Sequence, residues 1–363
     1  MNFLKRIKHL QKTIEQRSLH ALIIANTLDI YYLTGLNLSL GHVIFTTTDA
    51  LLLVDGRYIE YCNSHSPIPV KLTKDHNFLP HLSQFFKENT LVNIGFDSKE
   101  LSYEGYTSLY KRTQAQSSLK IKLVPIPYLL KDLRVQKDSE EIQALSFAAD
   151  LGTKGYQYVI DSLKKGVTEI QLAQDLEIFW KKNKSQSVAF EPIIAFGYNT
   201  AHPHYHPQEV ALKTGDPILI DIGVKIGNYH SDMTRTVFFK RIKPELAKIY
   251  NIVKEAQQKA LDLCKPGVLL KDLDSTARNH IEANGYGEYF NHSLGHGIGL
   301  EVHENPAISH KSASEVLLPG MAITIEPGIY LPNLGGVRIE DTIIITKKSY
   351  KNLTTCGKEL TIL

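Results

Sequence analysis

The pattern of apolar and polar positions divides the chain into two parts. In the first part, residues 5–18 have the spacing of an amphipathic helix. Strands are predicted from short apolar runs at 20–26, 42–48, 50–55, 92–97 and 121–127. We therefore predict an α/β domain over residues 1–130, which ends where proline and charged residues cluster near 127–137.

The second part, residues 131–363, shows longer helices and paired strands. Two helices begin at a cap with a polar partner three residues later, Asp138 with Glu141 and Thr168 with Gln171. The other predicted elements are strand pairs at 217–239 and 321–346 and helices at 245–263 and 271–284. This order suggests a weak internal duplication. The shared Gly-Val opening of KKGVTEIQLAQDL (164–176) and KPGVLLKDLDSTA (265–277) supports it.

Composition excludes several classes of protein. The 41 Lys and Arg against 38 Asp and Glu give a net charge of +3, and no basic block marks nucleic-acid binding. No apolar run approaches 18 residues, and the N-terminus lacks the pattern of a signal peptide. The three cysteines are far apart and odd in number, which indicates neither a disulfide framework nor a zinc knot. We expect a cytoplasmic enzyme without a membrane or nucleic-acid partner.

Each predicted hairpin of the second part brings two carboxylates together. The Gly-Asn pair at 227–228 is a turn signal, and if Val224 faces Tyr229 across it, Asp221 lies directly opposite Asp232. Both aspartates stand among mostly apolar neighbours, so we expect them to be partly buried.

The second hairpin turns at 332–336, and folding about Asn333 places Glu326 opposite Glu340. Like charges at facing positions of a sheet destabilise it, and burying unpaired carboxylates is costly. Arg235 and Arg338 are candidate partners. A cation held among the four carboxylates would neutralise them more completely.

A histidine within NHSLGHGIGLEVHENP (291–306) adds a nitrogen donor. Glycines at 295, 297 and 299 allow close backbone approach around His296, and their spacing does not fit a phosphate-binding loop. Four carboxylates and one imidazole form an oxygen-rich set suited to two hard or borderline ions. Such a set favours Mn²⁺ or Co²⁺ over a structural Zn²⁺.

These motifs resemble the family of metal-dependent Xaa-Pro peptidases, which includes aminopeptidase P and prolidase. The matching segments are IDIGVKIGNYHSDMTRT, SLGHGIGLEVHE, TIEPGIY and GGVRIEDT, with IYYLTGL, VDGRY and LRVQKDSEEI before them. The resemblance implies a creatinase-like α/β N-terminal domain over 1–130. It also implies an α+β pita-bread catalytic domain with pseudo-two-fold halves over 131–363.

The resemblance also implies roles for individual residues. The ligands of two divalent ions, most simply Mn²⁺ with Co²⁺ or Zn²⁺ as alternatives, would be Asp221, Asp232, His296, Glu326 and Glu340. Asp232 and Glu340 would bridge the ions, and a bridging hydroxide would attack the peptide bond before proline. His204 and His303 would stabilise the oxyanion and handle protons, Glu326 would carry a proton, and Arg338 would orient ligands.

The stretch TAHPHYHP (200–207) contains three histidines that have to be told apart. By resemblance His204 is the catalytic one, because the family carries a histidine after an Ala-x-Pro or similar step. Prolines at 203 and 207 prevent a regular central strand that would hold the three histidines on one face. We interpret His202 and His206 as rim or loop residues.

Two substrate classes remain open within the family. Aminopeptidase P releases the first residue of longer Xaa-Pro peptides, whereas prolidase cleaves Xaa-Pro dipeptides and must recognise a free carboxylate. The loop ENPAISHKSAS (304–314) contains no arginine, although Lys311 and His310 are near, so aminopeptidase P is our first hypothesis and Xaa-Pro dipeptidase the alternative.

Three further hypotheses fit the sequence less well. Metal-free creatinase-type hydrolysis and a non-catalytic peptide-binding relative are both disfavoured by the complete ligand set. A methionine aminopeptidase-like activity is disfavoured by the N-terminal domain and by the spacing of Glu326 and Glu340. The family analogy also predicts a homodimer.

Overall fold

The computed structural model describes residues 2–74, 77–116, 120–127, 129–312 and 314–363. The chain divides into two compact units, Met1–Asp132 and Leu133–Leu363. None of the helices in the described ranges combines the length and the apolar character needed to cross a bilayer.

The first unit is built around a six-stranded sheet of order β4-β3-β2-β1-β5-β6. Its strands are β1 Ala21–Ile24, β2 His42–Thr46, β3 Ala50–Val54, β4 Val70–Leu72, β5 Asn93–Asp97 and β6 Lys122–Ile126. The helices are α1 Phe3–Gln16, α2 Thr27–Thr34, α3 Ile59–His65, α4 Leu79–Glu88 and α5 Tyr103–Gln116, and α6 Leu129–Arg134 follows. β1, β5 and β6 are parallel, while β2 runs antiparallel to β1 and β3. The α/β prediction is confirmed.

The second unit alternates helix pairs with antiparallel strands. Its helices are α7 Ser139–Ser162, α8 Glu169–Lys182, α9 Pro244–Asp262 and α10 Leu270–Ala283. Strands of the first half are β7 Ser187–Val188, β8 Ile193–Phe196, β9 Pro217–Ile222, β10 Val224–Ile226, β11 Tyr229–His230 and β12 Met233–Phe238. Strands of the second half are β13 Gly295–Gly297, β14 Glu304–Ile308, β15 Ala322–Ile325, β16 Gly328–Leu331, β17 Gly335–Arg338, β18 Asp341–Ile345 and β19 Tyr350–Asn352.

Both predicted helix caps are present. The Asp138 side chain accepts from the backbone N–H of Glu141, whose carboxylate accepts in return from the N–H of Asp138, and this reciprocal pair opens α7. Thr168 caps α8 by accepting from the N–H of Gln171.

The predicted register of the first hairpin is wrong by two residues. Tyr229 pairs with Ile226 rather than Val224, and Asp221 pairs with Thr234 rather than Asp232. The cause is the turn: Gly227 and Asn228 both have positive φ, 58° and 65°, so two residues close the hairpin instead of four. Asp232 therefore lies diagonally from Asp221 on the same face of the pair, which still keeps the carboxylates together.

The predicted register of the second hairpin is confirmed. Ile325 pairs with Asp341 and Gly328 pairs with Arg338, and both pairs match the fold about Asn333. The same register places Glu326 opposite Glu340.

The two halves of the second unit repeat one backbone pattern. Gly166 and Gly267 have φ of 88° and 87°, and their N–H groups donate to Leu212 and Leu317. The carbonyls of the next residues accept from those same leucines. Isolated bridges follow in each half, Thr168 with Ala211 and Leu269 with Val316. Each half also has its own apolar core, one around Trp180 and β9 and one around α9, α10 and β15. The internal duplication is therefore structural.

Candidate metal centre and substrate cleft

The five predicted ligands line one cleft of about 520 Å³ in the second unit. β9 carries Asp221, and Asp232 directly precedes β12. His296 is the middle residue of β13, while Glu326 follows β15 and Glu340 precedes β18. Strands from both halves thus deliver the donors to one place.

The donor atoms are close enough to share a cation. The imidazole Nε2 of His296 is 3.6 Å from the Asp232 carboxylate and 3.4 Å from the Glu326 carboxylate. Ligand atoms of Asp232, His296 and Glu340 all lie within 4.8 Å of one another.

Burial and mutual repulsion act strongly on these acids. Burial, and then the charges of Asp221 and Glu326, hold the pKa of Asp232 well above its usual value. Burial likewise raises the pKa of Glu340 far above normal, with Asp232 as the main repelling neighbour. The pKa of Glu326 rises to about 7, chiefly through burial. Four carboxylates so placed cannot all be ionised without added positive charge.

Two buried carboxylate oxygens show that the donor set fits a metal. Oδ1 of Asp221 and Oε1 of Glu340 accept no hydrogen bond, although both atoms are inaccessible to solvent. Burial lowers the pKa of His296 to about 4, which leaves the imidazole neutral and able to ligate. Unpaired buried oxygens beside a neutral imidazole are the donors that a divalent cation requires.

The backbone around His296 can take this position only because glycines flank it. A Cβ at Gly295 would lie 2.0 Å from the carbonyl oxygen of Thr324, and one at Gly297 would lie 2.1 Å from that of Asn305. The sequence expectation of close approach at these glycines is confirmed.

Of the predicted non-ligand residues, His204 and His303 are exposed and line the same cleft. The His303 ring meets the His296 ring edge-on, with centroids 4.3 Å apart. Partial burial of the imidazole, and then the nearby His204, lower the pKa of His303. The structure therefore brings both histidines to the cleft.

The other two histidines of TAHPHYHP are placed differently. The exposed Nδ1 of His206 lies 2.7 Å from the carboxylate of Glu191, at the rim of the cleft. His202 stacks on Tyr205 at 6.3 Å between ring centroids. Within the described ranges, the three histidines form no metal-binding group with one another.

Comparison with known proteins places this geometry in a family. Residues 143–347 match Metallopeptidase family M24, and residues 6–136 match the Creatinase/Prolidase N-terminal domain. The chain belongs to metallopeptidase family M24. Its catalytic unit has the pita-bread fold, preceded by a creatinase-type N-terminal region, as the resemblance implied.

Similar proteins of this family bear names that refer to proline peptides. An Xaa-Pro dipeptidase of Pyrococcus horikoshii is 38% identical over 358 residues, covering 98% of this chain and 98% of that protein. The structure of an Xaa-Pro dipeptidase from Bacillus anthracis has a TM-score of 0.94 at 33% identity, with 100% of both chains covered. An X-Pro aminopeptidase from Thermotoga maritima has a TM-score of 0.89 at 31% identity, covering 96% of this chain and 99% of that one.

In this M24 chain, Arg338 bonds to one of the proposed metal ligands. Its Nη2 lies 2.5 Å from the carboxylate of Asp221. Thr234 donates to Glu340 at 2.7 Å. The other candidate cation, Arg235, pairs with Asp341 at 2.8 Å, outside the cleft lining. Arg338 is thus the arginine that compensates part of the acidic charge.

Sequence reasoning missed His292, which lines the cleft of this M24 chain, and its hydrogen-bond partner Tyr330. Nη1 of Arg338 donates to the Tyr330 hydroxyl at 2.7 Å, and that hydroxyl lies 2.9 Å from Nε2 of His292. Nδ1 of His292 is 2.8 Å from the carbonyl oxygen of Ser293, so it carries the proton and Nε2 accepts from Tyr330. The signal for His292 was its position four residues before His296, within the same glycine-rich run.

A buried ion cluster anchors the segment that carries His303 in the M24 chain. Glu304 accepts from Arg134 and, at 3.0 Å, from Lys137. Burial opposes ionisation, yet Lys137 and Arg134 outweigh it and lower the pKa of Glu304. These ion pairs hold Glu304, the residue next to the candidate catalytic His303, in one position.

Proposed function

We propose that this chain is an Xaa-Pro dipeptidase that depends on two divalent cations. The observation that carries the proposal is the convergence of four carboxylates and one neutral imidazole in one cleft. Relatives that match nearly the whole chain support the dipeptidase over the aminopeptidase P hypothesis that the sequence favoured.

The proposed ligands are those expected from the sequence. Asp221, Asp232, His296, Glu326 and Glu340 would hold the cations. An oxygen-rich set with one imidazole favours Mn²⁺, and Co²⁺ or Zn²⁺ could replace it. When bound, the cations supply the positive charge that acidifies a water molecule and polarises the scissile carbonyl.

The protein's own groups would then act on the substrate. Glu326, at the cleft surface, is proposed to pass a proton from water to the leaving nitrogen. His204 and His303 are proposed to donate N–H groups to the oxygen of the tetrahedral intermediate. Arg338 orients Asp221 through its hydrogen bond.

The proline side of the substrate explains the need for such a site. A bond before proline is a tertiary amide without an N–H, so backbone pairing lacks one donor there. Electrostatic activation within a shaped cleft does not depend on that donor. The apolar lining of the cleft includes Phe190, Ile193, Val302 and Ala307.

One observation favours the second candidate, an X-Pro aminopeptidase. In the described part of the cleft lining, Arg338 is the single lysine or arginine, and it already bonds to Asp221 and Tyr330. The free carboxylate of an Xaa-Pro dipeptide would have to use histidine N–H donors. A longer peptide has no free carboxylate directly after the proline.

The two candidates are separated by paired substrates. We expect the Mn²⁺-loaded protein to hydrolyse Ala-Pro with a higher kcat/KM than Ala-Pro-Ala. Ala-Ala serves as the control and should not be cleaved at a comparable rate. Preferred cleavage of Ala-Pro-Ala would support the aminopeptidase, and cleavage of neither proline peptide with Mn²⁺, Co²⁺ or Zn²⁺ would reject both.

Two further expectations accompany this function. We propose a cytoplasmic location, supported by the three free cysteines Cys62, Cys264 and Cys356. We also keep the homodimer as a proposal, which sedimentation at several protein concentrations would test by giving a mass of two chains.

A further inference from the structure

A single carboxylate anchors the loop that carries His204. We call residues 196–208 the histidine loop. Glu169, the first residue of α8, accepts four hydrogen bonds from this loop. They come from the N–H of Phe196 at 2.7 Å, Asn199 Nδ2 at 2.9 Å, the Tyr205 hydroxyl at 2.8 Å and the N–H of Gln208 at 3.1 Å.

The four donors reach both ends of the loop and its middle. Phe196 and Gln208 lie at the two ends, while Tyr205 is the direct neighbour of His204. Asn199 also donates to the Tyr205 hydroxyl at 2.8 Å, which closes a ring of three side chains. A change at Glu169 is therefore transmitted to the residue next to the candidate catalytic histidine.

The carboxylate is fully buried, with 0% of its surface exposed, and its four donors are all uncharged. An ion in that environment is tolerated only because each of its oxygens is hydrogen-bonded. Hydrogen bonds to a charged group are roughly twice as strong as those between neutral groups. Strong hydrogen bonds to the Glu169 carboxylate thus hold the histidine loop against α8.

The internal duplication shows that the fold itself does not need this carboxylate. Glu169 and Leu270 occupy equivalent positions, each directly after the isolated bridge of its half. Their N–H groups donate to Val210 and Glu315, respectively. Leu270 is also fully buried, so the same helix start packs well with an aliphatic side chain.

Helix capping does not require Glu169 either. Thr168 already caps α8 through its side chain. The carboxylate instead points to the histidine loop. The bonds to the histidine loop explain why residue 169 is an acid. Among the described residues of the second half, no matching loop is hydrogen-bonded to the side chain of Leu270.

We infer that Glu169 is a positioning residue that fixes His204 for hydrolysis, acting through Tyr205 and Asn199. This inference rests on the proposed peptidase function. Glu169 does not itself line the cleft and reaches it through Tyr205, which does. Its effect on the reaction passes through the histidine loop.

The test compares Glu169→Gln with Glu209→Gln in two backgrounds. Glutamine keeps the size of the side chain but replaces one carboxylate oxygen with an NH₂ group. Each of the two oxygens accepts from a backbone N–H, that of Phe196 or that of Gln208, and a backbone N–H cannot become an acceptor. We expect Glu169→Gln to lower kcat by about 10- to 100-fold with little change in KM. Glu209 is exposed on the neighbouring segment, and Glu209→Gln should retain full activity.

The second background is His204→Ala. If Glu169 acts through His204, Glu169→Gln should change kcat by less than about twofold once His204 is absent. An equal loss in both backgrounds would show a general structural role and overturn the inference. Tyr205→Phe removes one of the four bonds and should give a smaller loss that also vanishes with His204→Ala, which keeps the test available if Glu169→Gln folds poorly.

Hydrogen exchange gives a measurement that does not depend on activity. Amides of residues 196–208 should exchange faster in Glu169→Gln than in Glu209→Gln, with the rest of the second unit unchanged. Unchanged exchange in that segment would reject the anchoring role. A wild-type protein without Xaa-Pro hydrolysis would reject the proposed function, while the exchange result would still decide on the anchor.

Discussion

The two halves of the catalytic unit share a backbone plan but use it for different tasks. In the first half, β9 and β12 bring Asp221 and Asp232 into diagonal positions, and a buried acid holds the histidine loop. In the second half, Glu326 and Glu340 lie opposite each other, and the structurally equivalent helix start has Leu270. Arg338 joins the halves by reaching from β17 to Asp221.

The difference shows where duplication constrains the chain and where it does not. Glycine turns, bridges and backbone hydrogen bonds recur in both halves because they build the fold. Side chains that face the cleft differ because each half contributes other groups to one centre. A buried polar residue in one half that corresponds to an apolar residue at the equivalent position of the other half therefore indicates a functional role.

The largest expected effect tests whether both halves are needed. We expect Asp232→Ala and Glu340→Ala each to abolish Xaa-Pro hydrolysis. The loss should exceed the factor of about 10²–10³ that follows removal of one electrostatic donor. Steady-state assays with Mn²⁺ give the measurement, and the exposed Asp272→Ala is the control. Near-normal activity in either variant would show that one half suffices.

Breaking the link between the halves should have the next largest effect. Arg338→Ala leaves Asp221 without its guanidinium partner, so we expect about 10–100-fold weaker metal binding. Titration of the metal-free protein with Mn²⁺, followed by calorimetry, measures this change directly. The exposed Arg241→Ala is the matched control, and equal affinities for the two variants would contradict the role of the link.

Metal-free protein should lose stability as pH rises above about 6.5. The pKa of Glu326 is raised from 4.5 to about 7, and the pKa values of Asp232 and Glu340 are also raised. Below about pH 6.5, buried histidines such as His292 and His296, whose pKa values are lowered to about 4, act in the opposite direction. Above it, the raised acids leave the folded state with more bound protons than the unfolded state, so the free energy of unfolding falls as pH increases.

We expect a decrease of about 1–3 kcal/mol between pH 6.5 and 7.5. Urea unfolding in the presence of a chelator measures it. Added Mn²⁺ should remove the trend, because cations take the place of the protons. Stability that increases over this range without metal would mean that the acids of the two halves do not repel one another.

The smallest expected effect tests the turn of the first hairpin. Gly227 has a φ of 58° and open space around its Cβ position, so Gly227→Ala should cost about 1–2 kcal/mol through backbone strain alone. Gly357 has similar space without a positive φ, and Gly357→Ala should be close to neutral. Thermal unfolding gives the comparison, and equal melting temperatures would argue against the two-residue turn.

Residue types and local spacing were sufficient to predict much of the site. The sequence named five residues that the structure brings to one cleft, because acids within apolar strands are unusual and because the motifs match a known family. The second hairpin was placed correctly since its longer turn has a clear centre at Asn333. The first was misplaced because the strands alone do not show that Gly227 and Asn228 both adopt positive φ.

Contacts between distant segments could not be predicted in the same way. Arg338 and Asp221 are 117 positions apart, and nothing local indicates which acid the guanidinium contacts. Glu169 looked like an ordinary residue of a capped helix start. Its four bonds exist only because the loop after β8 folds back over α8. Such roles depend on tertiary packing, which a single sequence does not display.

The directed chain from Arg338 through Tyr330 to His292 gives the cleft an unexpected surface. Both ring nitrogens of His292 are committed to protein atoms, one to Tyr330 and one to Ser293. What remains for an incoming molecule is the carbon edge and the face of the ring. A residue usually counted as hydrophilic thus gives the cleft an apolar surface, which suits a saturated five-membered ring and binds water poorly.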